Sequence, residues 1–152
     1  MLEIKNPVIG LFFGMFLLVV NGFGVKAYTA INNPGRSDAI VRHIAALKAG
    51  PAQQKAAAAY WLGQQKAAAA QAVSPLVELL GDSSQVDCSR YRSDIQKLTL
   101  GEEAAAALVR IGHFSIEPLI RVLKTSPSAE ARKNAAWALG ALHEVGATGS
   151  EL

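Results

Sequence analysis

The residue types able to do chemistry are few and scattered. His43, His113 and His143 stand far apart, and none has a second His or Cys at metal-ligand spacing. They read as surface or helix-end histidines, with His143 a cation in the last turn of the last helix. Glu102 and Glu103 follow Thr99 as Thr-x-x-Glu. That spacing predicts a capping box at a helix start and not a paired-carboxylate acid–base site. Asp82, Asp87 and Asp94 lack the glycine and closing glutamate of a calcium loop. No P-loop, dinucleotide glycine fingerprint or G-x-S-x-G elbow occurs. The single cysteine, Cys88, excludes an intrachain disulfide framework and a structural zinc site. The expectation is a chain with no catalytic residues, no cofactor and no metal.

Recognition is better served than catalysis. The segment DSSQVDCSRYRSDIQK, residues 82–97, holds Cys88, Arg90, Tyr91 and Arg92. Tyr and Arg are enriched where binding energy concentrates. Arg90 and Arg92 would lower the thiol pKa of Cys88 if a loop held them close, and a buried Cys88 would instead be a small inert hydrophobe. The paired aromatics Tyr60–Trp61 are expected to pack, with a ligand cage as the alternative.

The elements that position these groups are helical. The chain has 152 residues, 51% of them hydrophobic with alanine the commonest, which fits one helical domain. A charged fraction of 18% is too low for a disordered polyelectrolyte, and a net charge of +3 is too mild to imply nucleic acid. At the N-terminus, Val8 to Val20 is uninterrupted apolar or glycine, and Val25-Lys26-Ala27 offers small residues at the −3 and −1 positions of a cleavage site. Residues 1–27 are therefore expected to be a signal peptide, with an uncleaved membrane anchor over Pro7 to Val25 as the alternative. Either places the remainder outside the cytoplasm, periplasmic or secreted. Without residues 1–27 the chain is nearly neutral. Residues 28–36, with Asn-Asn-Pro-Gly as a turn, read as a leader.

From Ser37, a candidate N-cap, the pattern repeats. Ile40, Ile44 and Leu47 fall at helical spacing, Gly50 stops the helix, and Pro51 suits the start of the next. Three segments then end alike: AAAAYWLG at Gly63, AALVRIG at Gly112 and AAWALG at Gly140. Shorter segments with Pro in the first turn follow two of them, AVSPLVELL (Ala72 to Leu80) and SIEPLIRVL (Ser115 to Leu123).

On these residues, above all ALVRIGHFSIEPLIRVLKTSPSAEARKNAAWALGAL (Ala107 to Leu142), the chain resembles the short HEAT-like repeats of phycobilisome-lyase type. The resemblance implies an all-α fold, a short right-handed α-solenoid of paired A and B helices. It covers residues 37–143 as three B–A pairs, interrupted by the insertion at about 82–97. The run QQKAAAAQ after Gly63 is expected to add about two helical turns, and residues 144–152 to form a flexible tail. Leu62, Ile111 and Leu139 should occupy equivalent buried positions. A last A helix without its B leaves an apolar face uncovered, with Trp137 and Leu142 exposed to a partner.

The functional expectation is a non-catalytic scaffold for protein–protein interaction, its partner another protein or a second copy, with Cys88, Arg90, Tyr91, Arg92, Trp137 and Leu142 as the candidate contacts. No nucleic acid is expected, and membrane only through residues 1–27 if they are retained. One alternative is a lyase-type HEAT-repeat subunit related to bilin lyases. The other is an uncleaved membrane-anchored adaptor. A nucleic-acid-binding HEAT array fits poorly with the near-neutral charge and the export signal.

Overall fold

The computed structural model describes residues 34–91 and 97–149, so the expected signal segment, most of the leader and Arg92 lie outside the described residues. The chain divides into two compact units, and the repeats lie in the one that runs from Asp38 onward. Helix α1, Pro34–Ala49, opens three residues before the expected Ser37 cap. Proline at a first helical position forfeits no hydrogen bond and brings its φ already set, so Pro34 and Gly35, expected in a turn, are the first residues of the helix. Ile40 and Leu47 are buried and Ile44 packs beside them, as their spacing requires. Pro51 caps helix α2, Ala52–Gln64.

Helix α2 does not stop at Gly63. It runs one residue further because Gly63 has a different task. A Cβ there would lie 3.0 Å from Ala107 Cα, so its absence lets α2 press against the next A helix. The helix ends where Lys66 takes the left-handed conformation, φ +53°, a role glycine usually fills. The expected extra α-helical turns are a seven-residue 3-10 segment, Lys66–Ala72, broken at Ala69. Its buried Ala69 and Ala72 hold it to the core despite the tighter winding. Helix α3, Val73–Glu78, follows with Pro75 in its first turn.

The described ends of the insertion pair as two short strands where a loop was expected. Strand β1, Gln85–Asp87, pairs antiparallel with β2, Lys97–Thr99, in the register Gln85↔Thr99, Val86↔Leu98 and Asp87↔Lys97. Val86 turns inward and is 2% exposed, which supplies the buried face that fixes the register. Gln53 of α2 clamps the strand from outside: its side-chain amide donates to Asp87 O (2.6 Å), and Asp87 N donates back to it (2.9 Å).

Helix α4, Leu100–Ile111, starts at Thr99 with the expected capping box, Glu102 N donating to Thr99 Oγ1 (3.2 Å) and Thr99 N to Glu102 Oε2 (2.8 Å). Gly101 lets this first turn approach α3, since a Cβ there would meet Leu80 O at 2.5 Å. A short 3-10 turn, His113–Ser115, leads into α5, Ile116–Thr125, with Pro118 in its first turn. Helix α6, Ala129–Gly149, is the longest described. It passes through Gly140 and takes in residues 144–149, which were expected to be a flexible tail. A helical glycine costs only about 1 kcal/mol, so Gly140 and Gly146 are both carried within the helix. His143 is consequently not in the last turn and its position owes nothing to the helix end.

The architecture is an all-α solenoid in which α2, α4 and α6 are the A helices and α1, α3 and α5 the B helices. Its core is alanine-rich between large anchors: Leu47, Leu62, Leu76, Leu80, Leu100, Leu108 and Leu119 are all essentially inaccessible. The expected register holds for Leu62 and Ile111, which are buried, and weakens at Leu139, which is half-buried. The last A helix packs on α4 and α5, but its outer flank at Gly140 meets no described residue, and the difference follows from that.

Candidate interaction surface

The strand pair brings two of the expected site residues, Cys88 and Tyr91, together. Cys88, just after β1, is fully buried. Its sulfur lies 3.9 Å from Val86 O and 3.8 Å from Glu103 Oε2, and the Tyr91 hydroxyl donates to it at 3.3 Å. Tyr91 is half-buried, its ring tilted against Tyr60 of α2 with centroids 4.7 Å apart. Arg90 is exposed to solvent. Arg92 lies outside the described residues. Cys88 and Tyr91 thus pin the strand pair to the helices, and the thiol is not offered to a second chain in this conformation.

Sequence reasoning missed the residue at the centre of this cluster. Glu103 is fully buried, and Arg110 Nη1 lies 3.9 Å from its Oε1. The Arg110 guanidinium also sits over the Tyr60 ring, 5.3 Å from its centroid. The signal was present: Glu103, Ala107 and Arg110 follow one another at i, i+4 and i+7, along the side of α4 that carries core residues. Reading Glu102 and Glu103 as a pair concealed it, because only Glu102 serves the cap. Tyr60–Trp61 are packing groups as expected, with Trp61 stacked on His43 of α1 at 4.2 Å.

On the outer side of the A helices lies a cleft of about 530 Å³ lined by Leu98, Glu102, Ala106, Val109, Arg110, Lys133, Asn134 and Trp137. One wall is strand β2, through Leu98, and the opposite wall is α6. Leu98, just past the insertion, and Trp137 of the C-terminal helix therefore border one concavity, while Cys88, Arg90 and Tyr91 lie outside its lining. Asn134 anchors α6 at this place by donating to Leu80 O (2.8 Å), which leaves the indole of Trp137 55% exposed at the rim. A second cleft of about 530 Å³ holds Leu142, Val145, Ile116 and His113 and shares Val109 and Arg110 with the first. Leu142 is half-buried and Val145 is 61% exposed. The expected contact Trp137 stands in the open, whereas Leu142 spends much of its surface against the core.

The chemistry this surface offers is apolar contact framed by charge. Among the described residues no three His, Cys, Asp or Glu side chains converge as metal ligands. No described helix is long and apolar enough to cross a membrane. Two ion pairs near the surface are short-range helix pairs, Lys133 with Glu130 on α6 and Arg121 with Glu117 on α5 (4.0 Å).

Comparison with known families agrees with this geometry. Residues 54–82, spanning α2 to α3, match the PBS lyase HEAT-like repeat. Residues 115–142, spanning α5 and most of α6, match the Armadillo/beta-catenin-like repeat. No curated protein and no solved structure matches the chain.

Proposed function

Because the chain is a HEAT-like repeat protein, we propose that it acts outside the cytoplasm as a non-catalytic scaffold, binding protein through the outward face of its A helices at α4 and α6. The observation that carries this reading is Trp137. A half-exposed tryptophan beside an apolar cleft is the residue type and setting in which interface energy concentrates. Repeats of this class are in general structural scaffolds, which supports the non-catalytic role. Burial of Cys88 supports it too, since it withholds the one thiol a covalent chemistry would use.

Export rests on the apolar run from Val8 to Val20 and on Val25-Lys26-Ala27. Intact-mass analysis is expected to find Tyr28 as the first residue of the extracytoplasmic protein. A full-length species held in the membrane would make it an anchored adaptor, and a cytosolic one would refute export. The binding role is tested by affinity capture from the envelope fraction with wild type and Trp137→Asp in parallel. Proteins, including further copies of this chain, retained by wild type and lost with the variant support it. Identical recovery with both variants would contradict the assignment of this face.

A further inference from the structure

Helices α2 and α6 carry the same motif with opposite outcomes. In α2, Tyr60 and Gly63 stand three residues apart near the end of the motif, and in α6 Trp137 and Gly140 take those places. Gly63 is covered: the site of its missing Cβ lies 3.0 Å from Ala107 Cα of α4 and 3.4 Å from Arg110 Cδ. Tyr60 is half-buried beneath Tyr91 and Arg110. No described residue comes within 4 Å of that site at Gly140, and Trp137 is exposed. The side on which α2 receives α4 is thus uncovered on α6 by any described residue.

That uncovered side is self-complementary. Lys133, Trp137, Gly140 and Glu144 follow at i, i+4, i+7 and i+11, one stripe of the helix, and all four are exposed. A second α6 crossing antiparallel, with the two-fold axis between Ala138 and Leu139, sets each residue opposite the one equally far from that point. Lys133 then faces Glu144 of the second copy, and Glu144 faces its Lys133. Trp137 faces Gly140 of the second copy, so each indole meets a notch that has no side chain. Bulk faces void and plus faces minus, twice over. A parallel crossing would oppose like charges and stack bulk on bulk.

We propose that the partner of this face is a second copy of the chain, docked α6 to α6 in that antiparallel register. The inference rests on the interaction role proposed above and names its partner. A two-fold contact of this kind closes on itself, whereas head-to-tail stacking of the same face would propagate into filaments.

The test is sedimentation velocity on the full-length chain over a wide concentration range, with variants checked by circular dichroism. A dimer is expected. Gly140→Leu adds a side chain in open space and raises helix propensity, so the fold is kept while the notch is filled; dimer affinity should fall about tenfold or more. Lys133→Glu should weaken the dimer, and Lys133→Glu with Glu144→Lys should restore it. A monomer at every concentration overturns the proposal, as does an oligomer indifferent to Gly140→Leu and Lys133→Glu. A monomer that still captures a different protein through Trp137 overturns the second copy as partner and leaves the scaffold reading standing.

Discussion

Glu103 shows how a single residue can join an insertion to a repeat. Its carboxylate is sealed among Cys88, Arg110 and the strand pair, where desolvation of a charge is tolerated only with partners in reach. Glu103→Ala would leave Arg110 without that carboxylate and open a void beside Cys88. The Arg110 side chain retains about 30% exposure, so water compensates part of the loss. The expected cost is about 1–3 kcal/mol in urea denaturation, with Cys88 becoming reactive to thiol reagents. His43 gives a pH signature. Burial against Trp61, and secondarily the neighbouring Arg42 charge, lower its pKa below the ordinary 6.5. The unfolded chain therefore takes up the proton first as pH falls, and stability contributed by neutral His43 is complete above about 6.5 and declines below it. Denaturation midpoints should drop between pH 7.5 and pH 5.5, and His43→Phe should flatten that slope. Unchanged slopes in the variant would assign the acid sensitivity elsewhere. Neither role was legible residue by residue: a charged side chain in an alanine-rich helix announces its burial only through phase with the core stripe.

At the scale of elements, what the sequence revealed was the repeat, because three Leu/Ile-Gly endings and two Pro-bearing B helices carry the same phase. What it concealed was the linkage between repeats. A run of alanines fits an α-helix or a 3-10 helix equally well, and the left-handed turn at Lys66, which decides between them, is set by packing. Likewise Val86 and Leu98 are too isolated to announce strands, and their pairing depends on the floor that α2 and α4 provide. The three glycine endings, alike in sequence, do three things: Gly63 permits close approach, Gly112 caps α4 at φ +89°, and Gly140 lies open within α6. The register predicts unequal costs for equal substitutions. Leu62→Ala, enclosed on all sides, should lose about 2–5 kcal/mol. Leu139→Ala, half-buried on a helix with one packed flank, should lose clearly less. Equal losses, read from thermal or chemical denaturation, would mean that α6 is covered as fully as α2.

For the whole molecule, the central claim is that the outward face of α6 is an interaction surface and that a second chain occupies it. The sequence pointed to Trp137 and to the insertion as contacts for one partner without showing where they lie. Only the fold shows that β2 and α6 wall one cleft, and only the comparison of Gly63 with Gly140 shows which side of α6 no described residue covers. The most direct measurement is disulfide trapping between two single variants of the full-length chain, Lys133→Cys and Glu144→Cys, with Cys88 left in its buried place. Oxidation of the mixture should yield the mixed dimer of the two variants, while each variant alone should cross-link poorly. Efficient cross-linking of Lys133→Cys to itself, or no cross-linked product from the mixture, would contradict the account.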